Sequence, residues 1–166
     1  TSGLPYTDLR FKQGPDLRCF TERPFLFGEE RRLLQLPPTR GFIGRAAGLA
    51  RRVFPLVEDE TALARSARGA LARAGLIDRV TLTPEGISLD QMKVLTRALL
   101  ARGQRVFAMS FHSPSLEPGH TPYVVDERTR AAFLARIEAY LEFFLGELGG
   151  APTTPLDLHA LFTRAR

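Results

Sequence analysis

Three histidines are the chain's first candidates for chemistry: His112, His120 and His159. An imidazole ordinarily titrates near ~6.5, so a well-held one gives or takes a proton near neutrality. His112 stands in the string RVFAMSFHSPSLEPGHTPYV, Arg105 to Val124. The mostly apolar run Val106 to Phe111 reads as a buried strand. Pro114, Pro118, Gly119 and Pro122 then forbid regular structure until a long helix opens near Asp126. α/β enzymes present catalytic groups in this way, at the carboxyl ends of strands. A surface His in a proline-stiffened turn has the same pattern. Of the three, His112 is the expected general acid or base.

Other chemistries fit less well. No H-x₃-H, H-E-x-x-H or cysteine cluster is present, so a self-contained zinc site has little support. His112 and His120 with Asp126 or Glu117 would need a fortunate loop geometry to hold a metal. Ser110, Ser113 and Ser115 flank His112, but no G-x-S-x-G elbow makes any of them a nucleophile. The glycines sit singly at caps and turns rather than in a phosphate-cradling loop. His159, on an amphipathic helix, reads as a surface or packing residue.

The elements that must position His112 follow from periodicity and caps. Residues 1–30 read as an irregular wrap, punctuated by Gly and Pro yet carrying Tyr6, Phe11, Phe20, Phe25 and Phe27 to bury. Leu33, Leu34 and Leu36 make a short strand that Pro37 and Pro38 end. Residues 43–54 fit a first helix. A second starts after Asp59 as N-cap and runs through Leu63, Ala67, Ala70, Leu71 and Ala74 to Gly75. Val80 and Leu82 belong to a strand ending at Pro84. Ser88 and Gln91 form a capping box for a helix with Leu89, Met92, Leu95 and Leu99 on one face. The longest helix, Glu127 to Leu148, buries Phe133, Ile137, Tyr140, Phe144 and Leu148. Thr154-Pro155-Leu156-Asp157 opens a terminal helix. The alternation predicts an α/β fold with a mainly parallel sheet, and too few strands for a whole one.

Composition narrows the class. The chain has 166 residues, 44% of them hydrophobic, with twelve Phe and no Trp, which suits one globular domain with a core. The net charge is +5, but the arginines are spread over the helices rather than gathered in a stripe, which argues against a nucleic-acid partner. No apolar run approaches the ~20 residues of a membrane span. Cys19 is alone, so it has no internal disulfide partner. TSGLPYTDLR shows neither an initial Met nor a signal peptide, so the compartment stays open, with the cytoplasm as the leaning.

The His112 string, followed by FFLGELGG and TPLDL, resembles the carboxyl-terminal half of bacterial polysaccharide deacetylases of the NodB-homology type, in particular the WalW-like branch. SGLPYTDLR, GPDL, ERPFLFGE and LLQLPPTRGF are similar to the same branch. The resemblance implies a distorted (β/α) barrel, of which residues 1–166 form a single partial domain carrying the later strands and helices only. It implies a carbohydrate partner and a metal-dependent hydrolase that removes acetyl groups from N-acetylated sugars. A divalent metal, usually zinc, would bind in the complete protein through T-F-D-D and H-S/T-x-x-H motifs. Neither motif occurs here, so this chain supplies no metal ligand, and the missing amino-terminal half of the barrel is an implied partner. The family's last motif matches Met109 to His112. It implies His112 as the general acid, and Met109, Phe111 and Ser113 as substrate-pocket residues. Asp8 is the implied supporting acid. The alternative is a non-catalytic remnant of the same fold that binds carbohydrate or a partner.

Overall fold

The structure, a computed structural model, describes residues 21–50 and 61–164. Asp8, Cys19 and Asp59 therefore lie outside the described residues, as do most of the irregular wrap and the end of the expected first helix. The fold is mixed α/β. Its strands, among the described residues, form two separate antiparallel ladders rather than the expected parallel sheet. No closed barrel is formed among them.

The first ladder pairs β1 (Phe25–Phe27) with β2 (Leu33–Gln35). Part of the expected wrap is therefore a strand. The second pairs β3 (Arg40–Ile43) with β4 (Asp78–Thr81), setting Gly41 opposite Val80. β3 has a physical reason for Gly41: a Cβ there would lie 2.9 Å from Leu95 Cδ1. The parallel expectation came from counting alternating elements, but antiparallel pairing does not require a crossover between sequence neighbours. Here β3 and β4 are separated by helical chain and still pair antiparallel.

Among the described residues there are four α-helices, and three of them start at the expected caps. α1 (Ala62–Arg73) is capped by Thr61, whose hydroxyl accepts from the Ala64 N–H. Leu63 is 82% exposed, Ala67 and Leu71 are half-buried, and Ala64 is the buried residue. Between β3 and α1, the described part of the expected first helix is a 3₁₀ turn, Ala47–Leu49. α2 (Leu89–Ala101) carries the expected Ser88–Gln91 capping box and buries Met92, Leu95 and Leu99. α3 (Glu127–Leu141) begins at Asp126, which makes a reciprocal box with Thr129. α4 (Pro155–Arg164) begins with Thr154 and Asp157 bonded to each other.

The expected long helix does not continue as α-helix to Leu148. A π-helical turn, Glu142–Glu147, extends α3, and its wider winding buries Phe143. Phe144 is partly buried, against Tyr140 and Phe107. Arg97 and Lys93 of α2 cover the Phe143 ring and pair with Glu147, tying the turn to α2.

The core consists of Ile43, Val80, Leu82, Met92, Leu95, Leu99, Tyr140 and Phe143. Full burial of a side chain of this size contributes roughly 1.5–3 kcal/mol, so this layer between β3–β4, α2 and α3 dominates stability. A polar pair within it is satisfied: Thr96 donates to the Met92 carbonyl and accepts from the Tyr140 hydroxyl at 2.9 Å. Burial pushes the Tyr140 phenol up, and the Thr96 bond offsets part of that rise.

Candidate active site

The segment Val106–Phe111 does not form the regular strand expected of it. It passes the end of the β3–β4 ladder and is fastened there by Thr39. The Leu82 N–H donates to the Thr39 carbonyl, and the Thr39 N–H to the Ala108 carbonyl. The Ala108 N–H donates to Thr39 Oγ1 at 2.8 Å, and the Ser110 N–H to the Leu82 carbonyl. Thr39 is 2% exposed, so these bonds work where water does not compete. The result is that the ends of β4 and of the His112 segment lie side by side.

At that junction the chain after β4 reads Thr83-Pro84-Glu85-Gly86. Glu85 is only 8% exposed. Its backbone is fixed by its own N–H donating to Thr83 Oγ1, and by Arg136 of α3 donating to the Pro84 carbonyl at 2.6 Å. Gly86 takes φ +70°, a conformation that favours glycine, and lets the Tyr123 ring lie close against the backbone.

The Glu85 carboxylate meets His112. Its Oε2 lies 2.7 Å from His112 Nδ1, and its Oε1 accepts the His112 backbone N–H at 3.0 Å. The Ser115 hydroxyl donates to the same Oε1 at 2.5 Å. Burial raises the pKa of Glu85, but the Ser115 hydroxyl, the His112 N–H and ring, and the imidazolium charge together outweigh it. The carboxyl is therefore held below its ordinary value and stays ionised near neutrality. An ionised carboxylate has no proton to give, so Nδ1 carries the hydrogen in this contact. The His112 ring is 78% exposed, and Nε2 is the nitrogen left for exchange with a substrate.

The loop after His112 is built to close under it. Pro114 starts a 3₁₀ turn, Ser113–Leu116, in which the Ser115 N–H donates to the His112 carbonyl. This turn carries Ser115, fully buried, back beneath the ring. Ser115 Oγ also lies 3.0 Å from Thr121 Oγ1. Thr121 is bridged to Val124, whose buried side chain anchors the far end of the loop.

The other expected site residues make contacts of their own. Met109 packs against the core and lines an apolar groove of about 280 Å³ with Leu82, Tyr140 and Phe144. Phe111 meets the buried Phe133 of α3 edge-on, with ring centroids 5.5 Å apart. Ser113 is exposed at the head of the 3₁₀ turn. His120 is exposed in the loop, and His159 donates from Nε2 to the Arg32 carbonyl. A cavity of about 500 Å³, lined by Arg23, Phe42, Arg102 and Gln104 among others, includes none of the residues bonded to His112.

Glu85, Ser115 and Thr121 are the residues that sequence reasoning missed. The signal for Glu85 was a lone carboxylate between Pro84 and Gly86 at a strand's carboxyl end. Ser115 and Thr121 left no comparable signal, because their partner is distant in sequence.

A metal fits poorly here. Among the described residues, no three His, Cys, Asp or Glu side chains come together to hold one. His112 Nδ1 is committed to Glu85, and His120 is not drawn to it. No helix among the described residues is long and apolar enough to cross a membrane. No protein-family model, curated protein or solved structure matches the chain.

Proposed function

We propose that the protein acts in hydrolysis of the acetamide of N-acetylated sugars, with His112 as the general acid for the departing amine. The observation that carries this reading is the exposed His112 ring whose Nδ1 is held by the buried Glu85 carboxylate. An imidazole oriented through one nitrogen presents the other as a proton donor of fixed direction. As the amide C–N bond breaks, its electron pair goes to nitrogen, which takes the Nε2 proton. The water whose oxygen the acyl carbon keeps gives up its two protons to solvent, one of them replacing the proton that His112 donated before the next turnover, and the acyl part leaves as acetate. His112 is then neutral, still protonated on Nδ1, and Glu85 remains ionised throughout.

The substrate class is supported by the resemblance of the string around His112 to NodB-homology deacetylases. That family's barrel has parallel strands, whereas both ladders here are antiparallel, so the reading rests on the His112 site and not on the sheets. The metal of that family would be held by residues other than those described, so no step is derived through it. Glu85 takes the supporting role that the resemblance suggested for Asp8.

The test is release of acetate from N-acetylglucosamine oligomers by the full-length polypeptide containing this chain. His112→Ala should lower turnover by about 10²–10⁴-fold, the usual contribution of a positioned acid, and leave metal content unchanged. Unchanged turnover would sink the role. The lack of a metal-holding group among the described residues favours a second reading, a non-catalytic carbohydrate-binding module. Oligomer binding with no acetate release from the wild-type protein would select it.

A further inference from the structure

We infer that Thr121 and Ser115 form a one-way hydroxyl relay onto Glu85 that fixes the tautomer of His112, which makes Ser115 a positioning residue. The inference follows from counting protons. Ser115 has one hydroxyl hydrogen, and Glu85, being ionised, can only accept. The 2.5 Å contact between them therefore uses the Ser115 proton. The 3.0 Å contact between Ser115 and Thr121 must then be donated by Thr121. Each hydrogen in the chain points toward Glu85: from Thr121 to Ser115, from Ser115 to Oε1, and from the His112 backbone N–H to Oε1.

Two donors on Oε1 prevent the carboxylate from turning about its last bond. Oε2 is thereby fixed on Nδ1, 2.7 Å away, and the neutral ring carries its hydrogen there, with the lone pair on Nε2. Reversing either hydroxyl would set a lone pair against a lone pair, at a buried contact for Ser115 and a part-buried one for Thr121, so the polarity is held. The relay also couples the loop to the ring. Thr121 is held by its bridge to Val124, whose side chain is fully buried, and a shift of that hairpin would release the carboxylate.

The functional weight of the relay rests on the reading of His112 as a proton donor; the tautomer itself does not. The experiment is therefore nitrogen-15 NMR of histidine-labelled full chain, at a pH where the ring is neutral, beside acetate release by the full-length polypeptide. In the wild type the Nδ1–H tautomer of His112 should predominate. Ser115→Ala should lower the Nδ1–H to Nε2–H ratio by about tenfold, in line with loss of a hydrogen bond to a charged group. Thr121→Val should lower it less, and Thr121→Ser, which keeps the hydroxyl, should restore it. If Ser115→Ala does not fold, the two Thr121 variants decide the matter. An unchanged ratio in Ser115→Ala, or in Thr121→Val where that variant alone is readable, overturns the relay. A shifted ratio without acetate release from any variant or the wild type upholds the relay and overturns the deacetylase reading.

Discussion

His112 and His159 each make one ring hydrogen bond of 2.7 Å, and the two bonds do different things. His159, on α4, uses Nε2 on the carbonyl of Arg32, which fastens the terminal helix to the chain before β2. A carbonyl is a neutral acceptor, and the bond lies in an exposed place where water competes. His112 uses Nδ1 on a carboxylate that is buried and already bound by two other donors. That partner can orient the ring and also balance a positive charge on it. The lesson is that bond length says little about a histidine's chemistry. What matters is which nitrogen is committed, to what charge, and how firmly the partner is held.

Substitutions at the two histidines should separate these roles most widely. With His112→Ala lowering turnover by about 10²–10⁴-fold, His159→Ala should leave it within about twofold, because a distant fastening contributes no proton. A comparable loss from both, in acetate-release assays, would erase the distinction. Glu85→Gln comes next. It keeps the shape but places an uncharged amide against Nδ1, and should cost about 10–100-fold in turnover.

Smaller effects test the scaffold. Thr39→Val keeps the volume but leaves the part-buried Ala108 N–H without its acceptor, which should cost about 1 kcal/mol in chemical denaturation. Acid should separate the two histidine sites as well. Glu85 has its pKa held below the ordinary 4.5, so its ionisation stabilises the fold fully above that value. The contribution is lost as pH falls through the lowered folded value. The stability difference between the wild type and Glu85→Gln should therefore shrink below pH 4.5. A difference constant in pH would mean that Glu85 carries no folded-state charge bias. The smallest effect is on stability in His159→Ala, about 1 kcal/mol or less, read from the denaturation midpoint.

The parts of this molecule that were legible in its sequence are those fixed by residues three or four apart. Ser88 with Gln91, Asp126 at the head of α3, and Thr154 with Asp157 all cap the helices they were expected to cap. So does the buried face of Met92, Leu95 and Leu99. Phe143 was missed in favour of Phe144 because a π turn shifts the register, and no residue in EFFLGE announces one. Antiparallel pairing of β3 with β4 was hidden by the helical chain between them. Glu85 lies 27 residues before His112, and only the fold brings them together. His112 itself was legible because its loop is so rich in proline.

The central claim is that Glu85 acts through His112, and a double-mutant cycle on acetate release tests it directly. The account predicts that Glu85→Gln lowers turnover when His112 is present and has no further effect in the His112→Ala background. Losses that multiply in the double variant would mean that the two residues act independently, and would contradict it.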